Sequence, residues 1–346
     1  MSMIDYSKSF VTINLHGIDI LTQDHHIIFS LAFNGHGGGV DLTEDAQIAA
    51  ALKEQKLAWV HLDATHDDTR EWLHEHVPYL DDIILDALLA EETTPRIIEH
   101  GTGCLMILRG VNLNANASPE DMISLRLWVD EERIVSLQRR ELRTVTDVHQ
   151  KLLDGKGPKN SGDFVSMLLG RLLERMAPVL SSLDDQLDDI EQLLIDRPDK
   201  SIRGEITINR KRCIAFKRYL VPTREIIMQL KRSELHWVKA LNKRSLQESL
   251  DLIIRYIADL DSYKERTLIA TEELTTFLSA RTDRNLYILS IISMIFLPLG
   301  FLTGLLGINV GGIPGADNDM AFGAFLAILG GLVVLQIFVL KLLKWV

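Results

Sequence analysis

Polar and apolar positions change their rhythm several times along this chain. From Phe10 to Val60, short apolar, β-prone runs (FVTINL, HIIFSLAF, LAWVHL) alternate with turn signals such as Asn34-Gly35 and Gly37-Gly38-Gly39, the pattern of strands. Between Thr69 and Ala90 the period lengthens. Trp72, Leu73, Val77, Leu80, Ile83, Ile84, Ala87 and Leu88 recur at three and four, which predicts amphipathic helix. Strands return at 103–111, 123–129 and 133–138, with Glu131-Glu132 as a charged turn between the last two. These elements predict an α/β or α+β cytosolic domain over residues 1–160, ending in the polar linker GKGPKNSGD.

Residues 161–244 read as a charge-sorted helical hairpin. An acidic run (Asp184, Asp185, Asp188, Asp189, Glu191) precedes a basic helix that carries Arg210, Lys211, Arg212, Lys217 and Arg218, and Pro198 marks the turn. The acids either pair with the basic helix or raise the local cation concentration near a pore entrance. From Ser245 no Pro or Gly occurs before Pro298, so one rod of roughly 80 Å is expected, with 245–284 as a cytosolic stalk. Leu246, Leu250, Ile253, Ile257 and Leu260 keep the spacing of a helix packed in a bundle.

Between Arg284 and Asp317 the sequence has no formally charged side chain. A backbone without water must satisfy its own hydrogen bonds, so residues 285–308 are expected to cross a membrane as helix, and 320–340 to cross back. The Gly-rich stretch 309–319 becomes a short external, periplasmic turn. Arg281 and Arg284 before the first span, and Lys341 and Lys344 in the tail 341–346, place both termini on the cytoplasmic side.

Composition narrows the function. The net charge is -11, and residues 1–160 carry 26 acidic against 14 basic side chains, which argues against nucleic acid as a partner. The two cysteines, Cys104 and Cys213, form no CxxC motif and fit a reducing compartment. Asp5 and Lys8 interrupt any apolar signal core. No nucleophile-base pairing, phosphate loop or cofactor fingerprint appears, so neither an enzyme nor a bound cofactor is expected.

Stepping back from Gly307 by three and four gives Gly304, Gly300, Leu297, Ser293, Ser290, Leu286 and Asp283, then Glu272 and Glu265. Such a stripe is either a small-residue packing seam or the wall of a water-filled lumen. The acidic continuation favours the lumen, because a packed seam would want Leu there. Asp283 would be the ionisable side chain nearest the narrow part, and so the one available for any proton coupling.

Several segments carry a family resemblance. FLPLGFLTGLLG (296–307 with its flanks), the tripeptide Gly307-Ile308-Asn309 followed by VGGIPG, and the soluble stretches LAWVHLDATHDD, LLAEETTPRI and LRGVNLN together resemble the CorA-type metal ion transporters. In most of that family the tripeptide is Gly-Met-Asn; Gly-Ile-Asn resembles the ZntB-like zinc branch. The resemblance implies a homopentameric funnel in the inner membrane, with the first span lining the pore and a ring of Asn309 amides at its outer mouth. It also implies a divalent cation as cargo, Zn²⁺ by the branch, with possible proton coupling. Residue chemistry alone supports a partly hydrated divalent cation: neither span offers the Cys, His or carboxylate of a zinc cage. A Mg²⁺/Co²⁺/Ni²⁺ channel and a non-conducting membrane-anchored coiled-coil scaffold or sensor stay open as alternatives.

Ten of the eleven histidines precede residue 150. Most read as ordinary surface or core residues; His61, Asp63 and His66 are spaced so that they could form a regulatory cytosolic metal site. Cys104, in the apolar CLMIL run, reads as a buried core thiol.

Overall fold

The computed structural model describes residues 25–53, 56–307 and 320–343. The expected strand FVTINL lies outside them. Seven strands, β1 (Ile27–Phe33), β2 (Gly39–Asp41), β3 (Ala58–Asp63), β4 (Arg96–His100), β5 (Gly103–Gly110), β6 (Ile123–Val129) and β7 (Arg133–Gln138), form one sheet in the order β2-β1-β3-β7-β6-β5-β4. All neighbours run antiparallel except β3 and β7, which are parallel from Ala58↔Arg133 to Asp63↔Gln138.

Both faces of the central strands are apolar, so each must be covered. On one face α1 (Asp45–Lys53), α2 (Thr69–His76) and α3 (Asp82–Leu89) bury Trp72, Leu73, Ile84 and Leu88 against Val60, Leu62, Leu105, Trp128 and Val135. On the other, α4 (Arg143–Leu153), α5 (Ser161–Asp196), α6 (Ile202–Arg232) and the first part of α7 (Ala240–Leu306) cover Trp59, Met106, Leu108, Leu127 and Ile134. Leu168, Leu172, Phe216, Ile227, Leu246, Ile253 and Leu260 supply that helical layer. The described chain divides into two compact units: residues up to Gln192 with Gly204–Ile269, and Leu193–Arg203 with Ala270 onward.

Three expectations need correction. The amphipathic stretch 69–90 is two helices, because Pro78 cannot donate a helical hydrogen bond and disfavours helical geometry at Val77. Asp81 then starts α3 afresh, its carboxylate accepting from the Ile84 N–H at 2.8 Å. The GKGPKNSGD segment is no free linker. Gly157 donates its N–H to the Gly37 carbonyl at 2.7 Å, and Gly37 itself sits at φ +99°, where a side chain would meet Gly157. Residues 161–192 and 204–269 accordingly belong to the same unit as the sheet.

The LLAEETTPRI segment is bound by three arginines, Arg109 of β5, Arg126 of β6 and Arg139 just past β7. The carbonyl that ends α3 and those of the segment just after it need donors. Arg139 Nη2 donates to Leu89 O at 3.4 Å, buried Arg126 Nη2 to Ala90 O at 2.7 Å and Glu91 O at 3.2 Å, and Arg109 Nη2 to Thr93 O at 2.7 Å. Cations at a helix C-terminus also meet the negative end of its dipole.

The acidic run of α5 finds its main partner on α7 and not on the basic helix. Asp184, Asp188 and Glu191, spaced to share one helical face, converge on Arg266, which donates to Asp184 and Glu191 at 2.7 Å and to Asp188 as well. These bonds hold the Arg266 guanidinium well above its ordinary pKa. Removing the cation leaves three facing carboxylates. Arg266→Gln should cost about 1–2 kcal/mol of stability at low salt, seen as a fall of a few degrees in Tm that shrinks as NaCl is raised, because the repulsion is screened. Differential scanning fluorimetry across a salt series measures it; an equal Tm deficit at every salt concentration would count against the carboxylate cluster as the cause.

Candidate functional site

Within the second unit, α7 continues through Pro298 to Leu306, and α8 spans Ala321–Leu342. Both carry windows apolar enough to cross a membrane, and their side chains are largely exposed in the single chain. Pro298 has no N–H, which frees the carbonyl of Met294 four residues earlier. Gln336 of α8 supplies the missing donor: its Nε2 reaches Met294 O at 3.2 Å. In hydrocarbon, where an unpaired carbonyl is costly, this bond both tolerates the proline and fixes α8 on one side of α7.

That side can be identified from burial. Ile291, Ile295, Pro298, Leu299 and Leu302 are the partly buried positions of the first span, and Ala321, Phe325, Leu329, Leu332, Val333 and Gln336 those of α8. At about 100° per residue, the stripe Leu286, Ser290, Ser293, Leu297, Gly300, Gly304 is centred roughly 150° from the covered face. All six are exposed, and a Cβ built on Gly300 or Gly304 meets nothing within 4 Å. The small residues therefore do not serve the contact between the two spans. Asp283, Glu272 and Glu265 are exposed too, while the neighbouring Thr267, Ala270 and Leu274 are buried. Ser290 Oγ donates back to Leu286 O at 2.8 Å, the common bond of a helical serine. Gly307 closes the helix, donating to Thr303 O at 2.9 Å; Ile308 and Asn309 lie outside the described residues.

The set His61, Asp63, His66 does not come together. His61 is buried in the sheet, its Nδ1 2.7 Å from Ser136 Oγ, which also accepts from Trp59 Nε1 at 2.7 Å. Burial disfavours the imidazolium, so the ring is neutral near pH 7. Asp63 is committed as well: Oδ1 accepts from Thr65 N at 2.7 Å and Thr65 Oγ1 at 2.6 Å. His66 turns away from both, toward His26, with ring centroids 5.8 Å apart. Cys104 is fully buried, and burial raises its thiol pKa beyond the ordinary range.

A sheet-containing unit followed in sequence by two helices apolar enough to cross a membrane, the first with one face uncharged and unpartnered among the described residues, is the architecture of a multi-pass membrane protein. The comparisons name the family. Residues 54–342 match the CorA-like Mg2+ transporter protein model, and the chain belongs to that family. It is 33% identical over 318 residues to the zinc transport protein ZntB of Yersinia enterocolitica, covering 92% of this chain and 95% of that protein. It is 35% identical over 325 residues to the divalent cation transporter CmaX of Pseudomonas aeruginosa, covering 93% and 98%. The solved structure of full-length CmaX superposes with a TM-score of 0.80 at 36% identity, covering 92% of this chain and 98% of that one.

Two measurements probe this geometry. Burial lowers the His61 pKa from 6.5 to about 4. The unfolded chain therefore takes up a proton between those values that the folded chain refuses, so stability is full above pH 6.5, declines as pH falls toward 4, and levels off below. His61→Gln should remove up to about 3 kcal/mol of that acid sensitivity, visible as a flatter Tm-versus-pH curve between pH 6.5 and 4. An unchanged slope would mean that the imidazole is not kept neutral. For the stripe, Gly300→Leu should leave Tm and oligomer size unchanged but reduce ion flux. Dissociation on size-exclusion chromatography in detergent would reveal a packing seam instead.

Proposed function

We propose that the chain assembles as a homopentamer in the cytoplasmic, inner membrane and conducts divalent cations, Zn²⁺ foremost, along the α7 stripe. The observation that carries this reading is the orientation of that stripe. Leu286, Ser290, Ser293, Leu297, Gly300 and Gly304 lie on the side of α7 that α8 leaves free, and among the described residues nothing uses the small size of Gly300 and Gly304. Copies of α7 facing an axis would turn this surface into a narrow, uncharged passage, while Asp283, Glu272 and Glu265 would draw cations toward its cytoplasmic end. Residues 285–308 and 320–340 would be the spans, 309–319 the periplasmic turn, and Arg281, Arg284, Lys341 and Lys344 the cytoplasmic anchors.

Asn309 at the outer mouth would contribute a ring of amide oxygens, joined by the negative ends of the α7 dipoles. Neutral oxygens of this kind pass a hydrated or half-hydrated dication without holding it. Zinc as cargo draws support from the Gly307-Ile308-Asn309 tripeptide and from the name of the Yersinia relative. Proton coupling would run through Asp283, since no acidic, basic or histidine side chain occurs from Asn285 to Ala316.

The test is Zn²⁺ influx into proteoliposomes loaded with a zinc-sensitive dye. Saturable influx is expected, little affected by a tenfold excess of Mg²⁺. Asn309→Ala should slow it roughly tenfold, the effect of about 1.4 kcal/mol at a barrier, with the oligomer intact. Absence of influx overturns transport; full competition by Mg²⁺ overturns only the choice of zinc; wild-type flux in the variant overturns the role of Asn309.

A further inference from the structure

We propose that His26, His66 and Asp68 form a transition-metal site in the soluble unit, distinct from the α7 stripe and independent of what that stripe carries. One ligating atom from each of the three residues lies within 4.8 Å of the other two. In a tetrahedral Zn²⁺ site with ligand distances of ~2.0–2.1 Å, ligand atoms stand ~3.3 Å apart. The pair His66 Nδ1 and Asp68 Oδ2, at 3.7 Å, is already close to that spacing. Closing the remainder takes side-chain movements of up to roughly 1.5 Å, the difference between 4.8 Å and that spacing.

The backbone around the three residues is held in place without the metal. Asp63 N–H donates to the His26 carbonyl at 2.8 Å, tying the start of β1 to the end of β3. From there the chain turns sharply. Thr65 N and Oγ1 bind the Asp63 carboxylate, Thr69 Oγ1 donates to Asp63 O at 2.6 Å, and Thr69 N–H donates to His66 O at 3.2 Å. His66 Nδ1 accepts the Asp68 N–H at 3.2 Å, a long bond that uses this nitrogen's one in-plane lone pair, so a metal bound at Nδ1 would take the place of that hydrogen bond. The Trp72 ring lies 5.9 Å from His26 and is itself stacked on His76, giving the cluster an apolar wall. Asp68 is exposed, leaving the opposite side open for water as a fourth ligand.

Two imidazoles with one carboxylate select their ion by chemistry. Imidazole suits Zn²⁺, Co²⁺ and Ni²⁺, whereas Mg²⁺ asks for an all-oxygen octahedron that the cluster does not offer. The site is therefore assigned to Zn²⁺ or a similar borderline dication, and not to Mg²⁺.

The experiment titrates untagged, full-length protein in detergent with Zn²⁺ by calorimetry, and with Co²⁺ by visible absorption. His26→Gln and His66→Gln should each remove one equivalent of bound Zn²⁺ per chain and the intense tetrahedral Co²⁺ bands, while Asp68→Asn should weaken binding at least about tenfold, the least expected for a direct ligand. His74→Gln, altering an exposed histidine on α2 outside the cluster, should titrate like the wild type. Metal-free Tm values within a degree or two of wild type show that the variants fold; a variant that does not is replaced by its Asn counterpart. Identical stoichiometry in wild type and His66→Gln, an equal loss in His74→Gln, or Mg²⁺ displacing Zn²⁺ at equal concentration overturns the proposal. Zinc bound along the α7 stripe would survive His66→Gln, so failure here and failure of the transport reading leave different signatures.

Discussion

The structure depends on how one helix divides its surface. In its first part α7 buries Leu246, Ile253, Tyr256 and Leu260 in the layer that covers the sheet, and Arg266 gathers three carboxylates from α5. Further on it leaves the small-residue stripe bare and gives Ile291, Ile295 and Leu302 the less exposed side. A helix can meet such unlike demands only if its apolar positions drift around the axis without a break in the backbone. The single proline in its path is tolerated because Gln336 offers a donor to the carbonyl that the ring strands.

The proposed path and the proposed site would ask for two kinds of metal chemistry. The α7 stripe offers hydroxyls, backbone and aliphatic surface, groups that touch a hydrated cation lightly. The His26, His66, Asp68 cluster offers nitrogen and carboxylate at close quarters, groups that retain one. A path that must release its cargo and a site that must hold it call for these opposite choices.

Much of this was legible in the sequence. The long helix shows as an absence of Pro and Gly from Ser245 onward, and the spans as an absence of charge, because both signals are local and strong. Strands β3, β5, β6 and β7 show because their cores are continuous apolar runs. β2 and β4 do not: they are edge strands whose side chains are largely exposed, so alternation carries little contrast there. α4 could have been found from Val145, Val148 and Leu152, one face of a helix. The failures of pairing are of another kind. Proximity along the chain suggested His61 with His66, and acid α5 with basic α6. The fold instead brings in His26 through the β1–β3 pair, where Ile27 faces Leu62, and Arg266 from a helix more than seventy residues away. Such partners are set by topology, which no local spacing encodes.

The parallel pair β3–β7 also bears on the order in which the molecule is built. β4, β5, β6 and β7 follow one another in the chain, and each pairs with the next across a connection no longer than residues 111–122. β3 must instead wait for a partner that emerges roughly 70 residues later, and closing a loop of that length costs about 4 kcal/mol of chain entropy before any contact repays it. The β4–β7 meander is therefore the natural nucleus, and docking of β1–β3 onto β7 the late, slower step. Until that step, the inner edge of β7, with Ile134, Val135 and Leu137, stands open to any other strand, which makes this interval the one in which the nascent chain most needs protection from its neighbours.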